Sequence, residues 1–126
     1  MFFYFYDTIL YMKLSDKKCI PCERGDIEPL SCIQADQFFT EYQSDLQGWQ
    51  LNETCTRIGY EKLFPDFITA MQFINQVATI AEDEGHHPDI SIWYNRVQLD
   101  LWTHSIGGLS ENDLIIAAKI NQIDIS

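Results

Sequence analysis

Between Pro65 and Pro88 the sequence commits to one long amphipathic helix, and that helix dictates what the rest of the chain must supply. Pro65 and Asp66 give a helix start, after which Phe67, Ala70, Met71, Ile74, Val77, Ala78 and Ala81 recur at spacings of three and four. Gly85 suits the left-handed cap position and Pro88 cannot continue the helix. A helix with a single apolar stripe needs an apolar surface to cover it. The chain's 126 residues are 46% hydrophobic and 21% charged, enough to build one packed core without disulfides or a structural metal. That length leaves no room for a separate cofactor-binding domain.

The covering surface is legible on both sides of this helix. Residues 34–46 predict an earlier helix, with Ala35, Phe38, Phe39, Tyr42 and Leu46 on one side and Gly48 closing it. Residues 49–52 and 56–64 are rich in aromatic and β-branched types and predict two antiparallel strands joined near Glu53 and Thr54. Ile90, Ile92 and Tyr94 alternate, as do Val97, Leu99, Leu101 and Thr103, giving two more strands that turn at Asn95. Ser110, Glu111, Asn112 and Asp113 have the form of a capping box opening a last helix through about Ile123. The expected fold class is α+β, a single domain of order α-β-β-α-β-β-α with a four-stranded antiparallel sheet and the helices packed on one face. The polar stretch broken by Pro21, Gly25 and Pro29 reads as an arm laid over the domain. Residues 1–29 are thus an N-terminal extension and arm, and residues 30–126 the domain.

Charge narrows the partners. Nineteen acidic residues against eight basic ones give a formal charge of −11, which repels a phosphate backbone and argues against direct nucleic-acid binding. Residues 1–12, MFFYFYDTILYM, lack a basic start, carry Asp7 and fall short of the roughly 20 residues that span a bilayer, so neither a signal peptide nor a membrane helix is expected. The start-like stretch after Met12 raises the alternative that translation begins there. With no secretory leader, Cys19, Cys22, Cys32 and Cys55 read as reduced thiols of a cytoplasmic protein. Cys19 and Cys22 lack a second Cys-x-x-C pair, so they are taken as part of an inert arm rather than a zinc or redox site.

All three histidines, His86, His87 and His104, fall within 19 residues. The first two occupy the loop leaving the long helix, and the third ends a strand that pairs with the strand after that loop. An adjacent pair in a loop is by itself an ordinary solvated turn. A third imidazole at the facing strand end turns it into a candidate site, because imidazole exchanges protons in both directions near neutral pH. Zinc is the competing use of three imidazoles, but neighbouring loop residues seldom aim both rings at one ion, so no metal is expected.

These residues also carry a family resemblance. The run Glu82-Asp83-Glu84-Gly85-His86-His87-Pro88, then Tyr94, Trp102-Thr103-His104 and Gly107-Gly108-Leu109-Ser110-Glu111-Asn112-Asp113, resembles the signature of the pterin-4a-carbinolamine dehydratases. Glu82 lies four before His86, Tyr94 six after Pro88, His104 ten after Tyr94, and Asp113 nine after His104. The likeness continues upstream through Gly48-Trp49 and the long helix, and Cys19-Ile20-Pro21-Cys22 resembles the arm of bacterial members.

The resemblance implies a hydro-lyase acting on 4a-hydroxytetrahydropterin, the product left when an aromatic amino acid hydroxylase has used its pterin, and releasing quinonoid dihydropterin and water without metal or organic cofactor. It makes His86 and His104 the general acids for opposite ring faces and gives His87 a part in ring binding and in moving the second proton. Glu82 either takes hydrogen bonds from the pterin's amino-pyrimidine edge, orients His86, or is solvated. Thr103 and Ser105 either bond the ring or simply end the strand. Pro88 fixes the loop, Asp113 is a structural helix cap, and Trp93 and Trp102 either wall the pterin or pack. The family also implies a homodimer or homotetramer. A non-catalytic dimerisation, assembly or coactivator-like module on the same fold is the alternative.

Overall fold

The computed structural model describes residues 13–20 and 27–125. The readings that fell on residues 1–12, Pro21, Cys22 and Gly25 therefore lie outside the described residues. Among the described residues three helices, α1 (Cys32–Glu41), α2 (Phe67–Glu84) and α3 (Glu111–Ile120), accompany four strands, β1 (Gln50–Leu51), β2 (Ile58–Leu63), β3 (Asp89–Trp93) and β4 (Arg96–Leu101). The strands pair antiparallel throughout in the order β1-β2-β4-β3, the α+β architecture expected. Short 3-10 turns occupy Leu14–Asp16 and His104–Ile106.

The strand period decides which face is covered. Val97, Leu99 and Leu101 of β4 are fully buried with Ile58 of β2, whereas Gln98 and Asp100 between them line an open polar depression. α2 contributes Ala70, Phe73, Val77 and Ala81 to the core. The expected stripe is therefore rotated: Phe67 and Ala78 are exposed, and Phe73 takes their place. Its ring joins Tyr60 and Phe64, and Tyr60 in turn packs on Trp49, an aromatic cluster that sets the helix's rotation about its axis. α3 is buried nearly all round, from Asn112 through Ala118 and again at Ile120.

α1 begins two residues before the expected start, because Ser31 and Gln34 form a reciprocal capping box. It also stops early, at Glu41, and residues 42–48 continue as turns. Asn121 Nδ2 donates to the carbonyls of Asp45 and Gln47 and draws these turns onto the end of α3. β1 and β2 are shorter than expected because Asn52 closes the connection, its Oδ1 accepting the N–H groups of Thr56 and Arg57.

Two readings need correction. Cys32 and Cys55 are joined by a disulfide, their Cα atoms 5.2 Å apart, so this pair is not made of reduced thiols. The fold brings the start of α1 against the β1–β2 connection, an approach that a sequence separation of 23 does not announce. The arm, moreover, is not merely laid over the domain: Leu14 is fully buried in the core, and its N–H donates to Asp45. Cys19 N–H donates to Glu84, and Ile20 exchanges two hydrogen bonds with Asn112. Among the described residues no helix is long and apolar enough to cross a membrane.

Candidate active site

The loop that carries two of the histidines is shaped by Gly85. It adopts a left-handed conformation, φ +66°, and its N–H and that of His86 both turn back to the Ala81 carbonyl. The chain thus reverses at the end of α2 and sends His86 inward, where the residue is only 7% exposed. Its Nε2 lies 2.6 Å from Oδ1 of the fully buried Asp113. The second carboxylate oxygen of Asp113 accepts from Thr103 Oγ1 at 2.7 Å and from the Ser110 N–H at 3.0 Å. Thr103 and Ser110 hydroxyls meet at 2.8 Å. Every buried side-chain polar atom described has a partner, as a buried network requires.

His87 points elsewhere. Its side chain is exposed and its Nε2 lies 2.8 Å from Oε1 of the exposed Glu82. Glu82 therefore meets His87, not His86. His104 opens the 3-10 turn that follows β4, is exposed, and stacks on Trp102 with ring centroids 4.0 Å apart. Trp102 Nε1 donates to Asp89 at 3.3 Å, and the Arg57 guanidinium lies 4.4 Å from the Trp102 ring centroid.

A cleft of about 320 Å³ collects His86, His87, Pro88, Trp102, Thr103 and His104 along its lining. Ser105 and Glu82 are not among the lining residues. The β3–β4 register explains the convergence: Asp89 pairs with Asp100, so the loop before β3 and the chain leaving β4 emerge side by side at one sheet end. Among the described residues no three His, Cys, Asp or Glu side chains converge as a metal centre. The rings of the adjacent pair diverge, one to Asp113 and the other to Glu82. Such a cleft can flank a flat heterocycle with imidazoles, one of them backed by a buried carboxylate.

The family model for pterin 4 alpha carbinolamine dehydratase matches residues 31–123. The chain belongs to this family. A protein of Rickettsia canadensis named "Putative pterin-4-alpha-carbinolamine dehydratase" is 46% identical over 110 residues, which cover 85% of this chain and 94% of that protein. The "Pterin-4-alpha-carbinolamine dehydratase 2, mitochondrial" of Arabidopsis thaliana is 39% identical over 116 residues, 89% of this chain and 59% of that protein. Among solved structures, the crystal structure of a "transcriptional coactivator/pterin dehydratase" from Brucella melitensis superposes with a TM-score of 0.67 at 35% identity, covering 75% of this chain and 96% of that one.

Asp113 is the residue of the dehydratase signature for which the structure adds a contact that the sequence does not indicate. It is the helix cap expected of it, completing the capping box with Ser110, and it is also the partner of His86. Its fixed spacing within the signature was the signal; a cap alone requires only the three-residue spacing to Ser110.

Proposed function

We propose that this protein dehydrates 4a-hydroxytetrahydropterin to quinonoid dihydropterin and water. The C4a–O bond breaks, a proton joins the departing hydroxide, the N5 proton leaves, and the C4a–N5 double bond forms. The reaction needs one acid and one base and no net oxidation. The observation that carries this reading is the shared cleft, in which His86, held by the buried Asp113, and His104 are both lining residues.

In this reading His86 and His104 are general acids for hydroxyl groups on opposite ring faces, and His87 binds the ring and moves the second proton. Asp113 is a positioning residue: its carboxylate fixes the orientation of the His86 ring through the Nε2 contact. Thr103, Pro88, Glu82 and Ser105 are substrate-contact candidates, with Thr103 and Pro88 in the cleft lining and Glu82 acting through His87. Pterin regeneration for an aromatic amino acid hydroxylase is the metabolic setting this chemistry fits. A homo-oligomer is supported by the exposed Leu63, Phe67, Ile68, Trp93 and Tyr94. These sit where Phe64 and Asn95 tie the β2–α2 connection to the β3–β4 hairpin.

Stopped-flow ultraviolet spectroscopy of enzymatically generated 4a-hydroxytetrahydropterin tests the proposal. Acceleration by the wild type and its loss in a His86→Ala/His104→Ala double variant are expected. A folded wild type that accelerates nothing would instead favour a non-catalytic assembly or coactivator-like module; the Brucella protein is named a transcriptional coactivator as well as a pterin dehydratase.

A further inference from the structure

The three imidazoles of the cleft are not held alike. His86 is fixed by Asp113 and His87 by Glu82, each through a ring nitrogen. The His104 ring makes no hydrogen bond or ion pair with the described residues; its ring contact is the stack on Trp102, with planes 27° apart. An exposed histidine at the first residue of a 3-10 turn otherwise samples several rotamers.

Trp102 is itself constrained from two directions. Its Nε1 donates to Asp89, the residue after the His-His-Pro loop, which ties the His104 side of the cleft to the His86 side. Arg57 lies over its ring, and no carboxylate among the described residues lies within 4.0 Å of that guanidinium. The Arg57 backbone is fixed in turn, its N–H donating to Asn52 Oδ1 and its carbonyl accepting from Asn52 N–H.

We propose that Trp102, held by Arg57 and Asp89, is a positioning residue for His104, performing by stacking what Asp113 performs for His86 by hydrogen bonding. This rests on the dehydratase reading given above. A stacked aromatic pair favours one arrangement roughly five-fold over unstacked ones. Losing it should dilute the productive His104 rotamer by about that factor.

The test uses the full chain with 13C-labelled histidine and the variants Trp102→Leu, Trp102→Phe, His104→Ala and Trp102→Leu/His104→Ala. The His104 ring protons should be shifted upfield by the indole ring current in the wild type, retain most of that shift in Trp102→Phe, and lose it in Trp102→Leu. Trp102→Leu should lower kcat roughly five-fold with little change in KM, Trp102→Phe should recover most of it, and Trp102→Leu should cost nothing further in the His104→Ala background. A rise in KM at constant kcat would mean that Trp102 binds the pterin directly, and a five-fold loss persisting without His104 would mean a merely structural role; either overturns the proposal. If the wild type accelerates no dehydration, the dehydratase reading fails. The ring-current comparison then still decides the stacking, because an unchanged His104 spectrum in Trp102→Leu overturns it.

Discussion

Asp113 joins His86 across 27 residues of sequence through a contact of 2.6 Å, and with its other oxygen it holds Thr103 and Ser110. One fully buried carboxylate therefore ties the C-terminus of α2, the end of β4 and the first turn of α3. Asp113→Ala is expected to remove the acceptor shared by His86, Thr103 and the Ser110 N–H and to cost about 2 kcal/mol, the scale of disrupting buried hydrogen bonds. Urea denaturation measures this loss, and turnover under conditions where the variant is folded should fall with it. Asp113→Asn preserves shape but places an amide where three donors converge on two oxygens. Activity equal to the wild type in a folded Asp113→Asn would remove the positioning role.

The local devices of this fold were readable in advance and the contacts between elements were not. Asp66 and the Ser110–Asp113 box announce helix starts because a cap and its N–H are three residues apart, and Gly85 announces a helix end for the same reason of proximity. The clustering of the histidines predicts their convergence at one sheet end, since strand register and loop length suffice to bring His86, His87 and His104 together. What stayed hidden was direction. No spacing indicates that His86 turns inward to Asp113 while His87 turns to Glu82, or that Phe73 displaces Phe67 from the core face of α2. Those outcomes are settled by packing against residues distant in sequence.

The division of labour among the imidazoles leads to a test with stereochemically separated carbinolamines. His86→Gln and His104→Gln should each slow one C4a isomer strongly, by about 100-fold or more for loss of a general acid, and the other much less. His87→Gln should affect both isomers alike and raise KM. Stopped-flow traces for each isomer provide the comparison, and equal losses on both isomers for His86→Gln and His104→Gln would contradict the assignment of one acid to each face.

Acid should loosen the arm before it unfolds the domain. Burial pushes the Glu84 carboxyl upward, but the Cys19 N–H, Lys119 and Lys18 together outweigh it and hold the group below its ordinary value of 4.5. A depressed folded pKa contributes stability that is complete above about pH 4.5 and is lost as the pH falls through the folded value. Relative to Glu84→Gln, the wild type should be more stable by about 1.5 kcal/mol at neutral pH, the scale of hydrogen bonds to a charged group. That gap should close in strong acid. Parallel urea titrations at several pH values measure it, and a gap independent of pH would show that the charge of Glu84 contributes nothing.

The Cys32–Cys55 disulfide clamps the start of α1 to the β1–β2 connection, the same connection from which Asn52 fixes Arg57. Closing a loop of this length, with its ends separated by 23 in sequence, restricts the unfolded chain by about 3 kcal/mol in the loop-entropy account. Cys32→Ser/Cys55→Ser should therefore unfold at lower urea than the oxidised wild type by that amount, and a dithiol reductant should bring the wild type to the same midpoint. Peptide mapping under non-reducing conditions should recover the Cys32 and Cys55 peptides as one species. Because α2, β4 and α3 hold His86 and Asp113 without this clamp, the double variant should keep the His86–Asp113 pair, and with it most of the turnover, at temperatures where it remains folded. A double variant as stable as the oxidised wild type would mean that restriction of the unfolded chain by this bond adds no net stability.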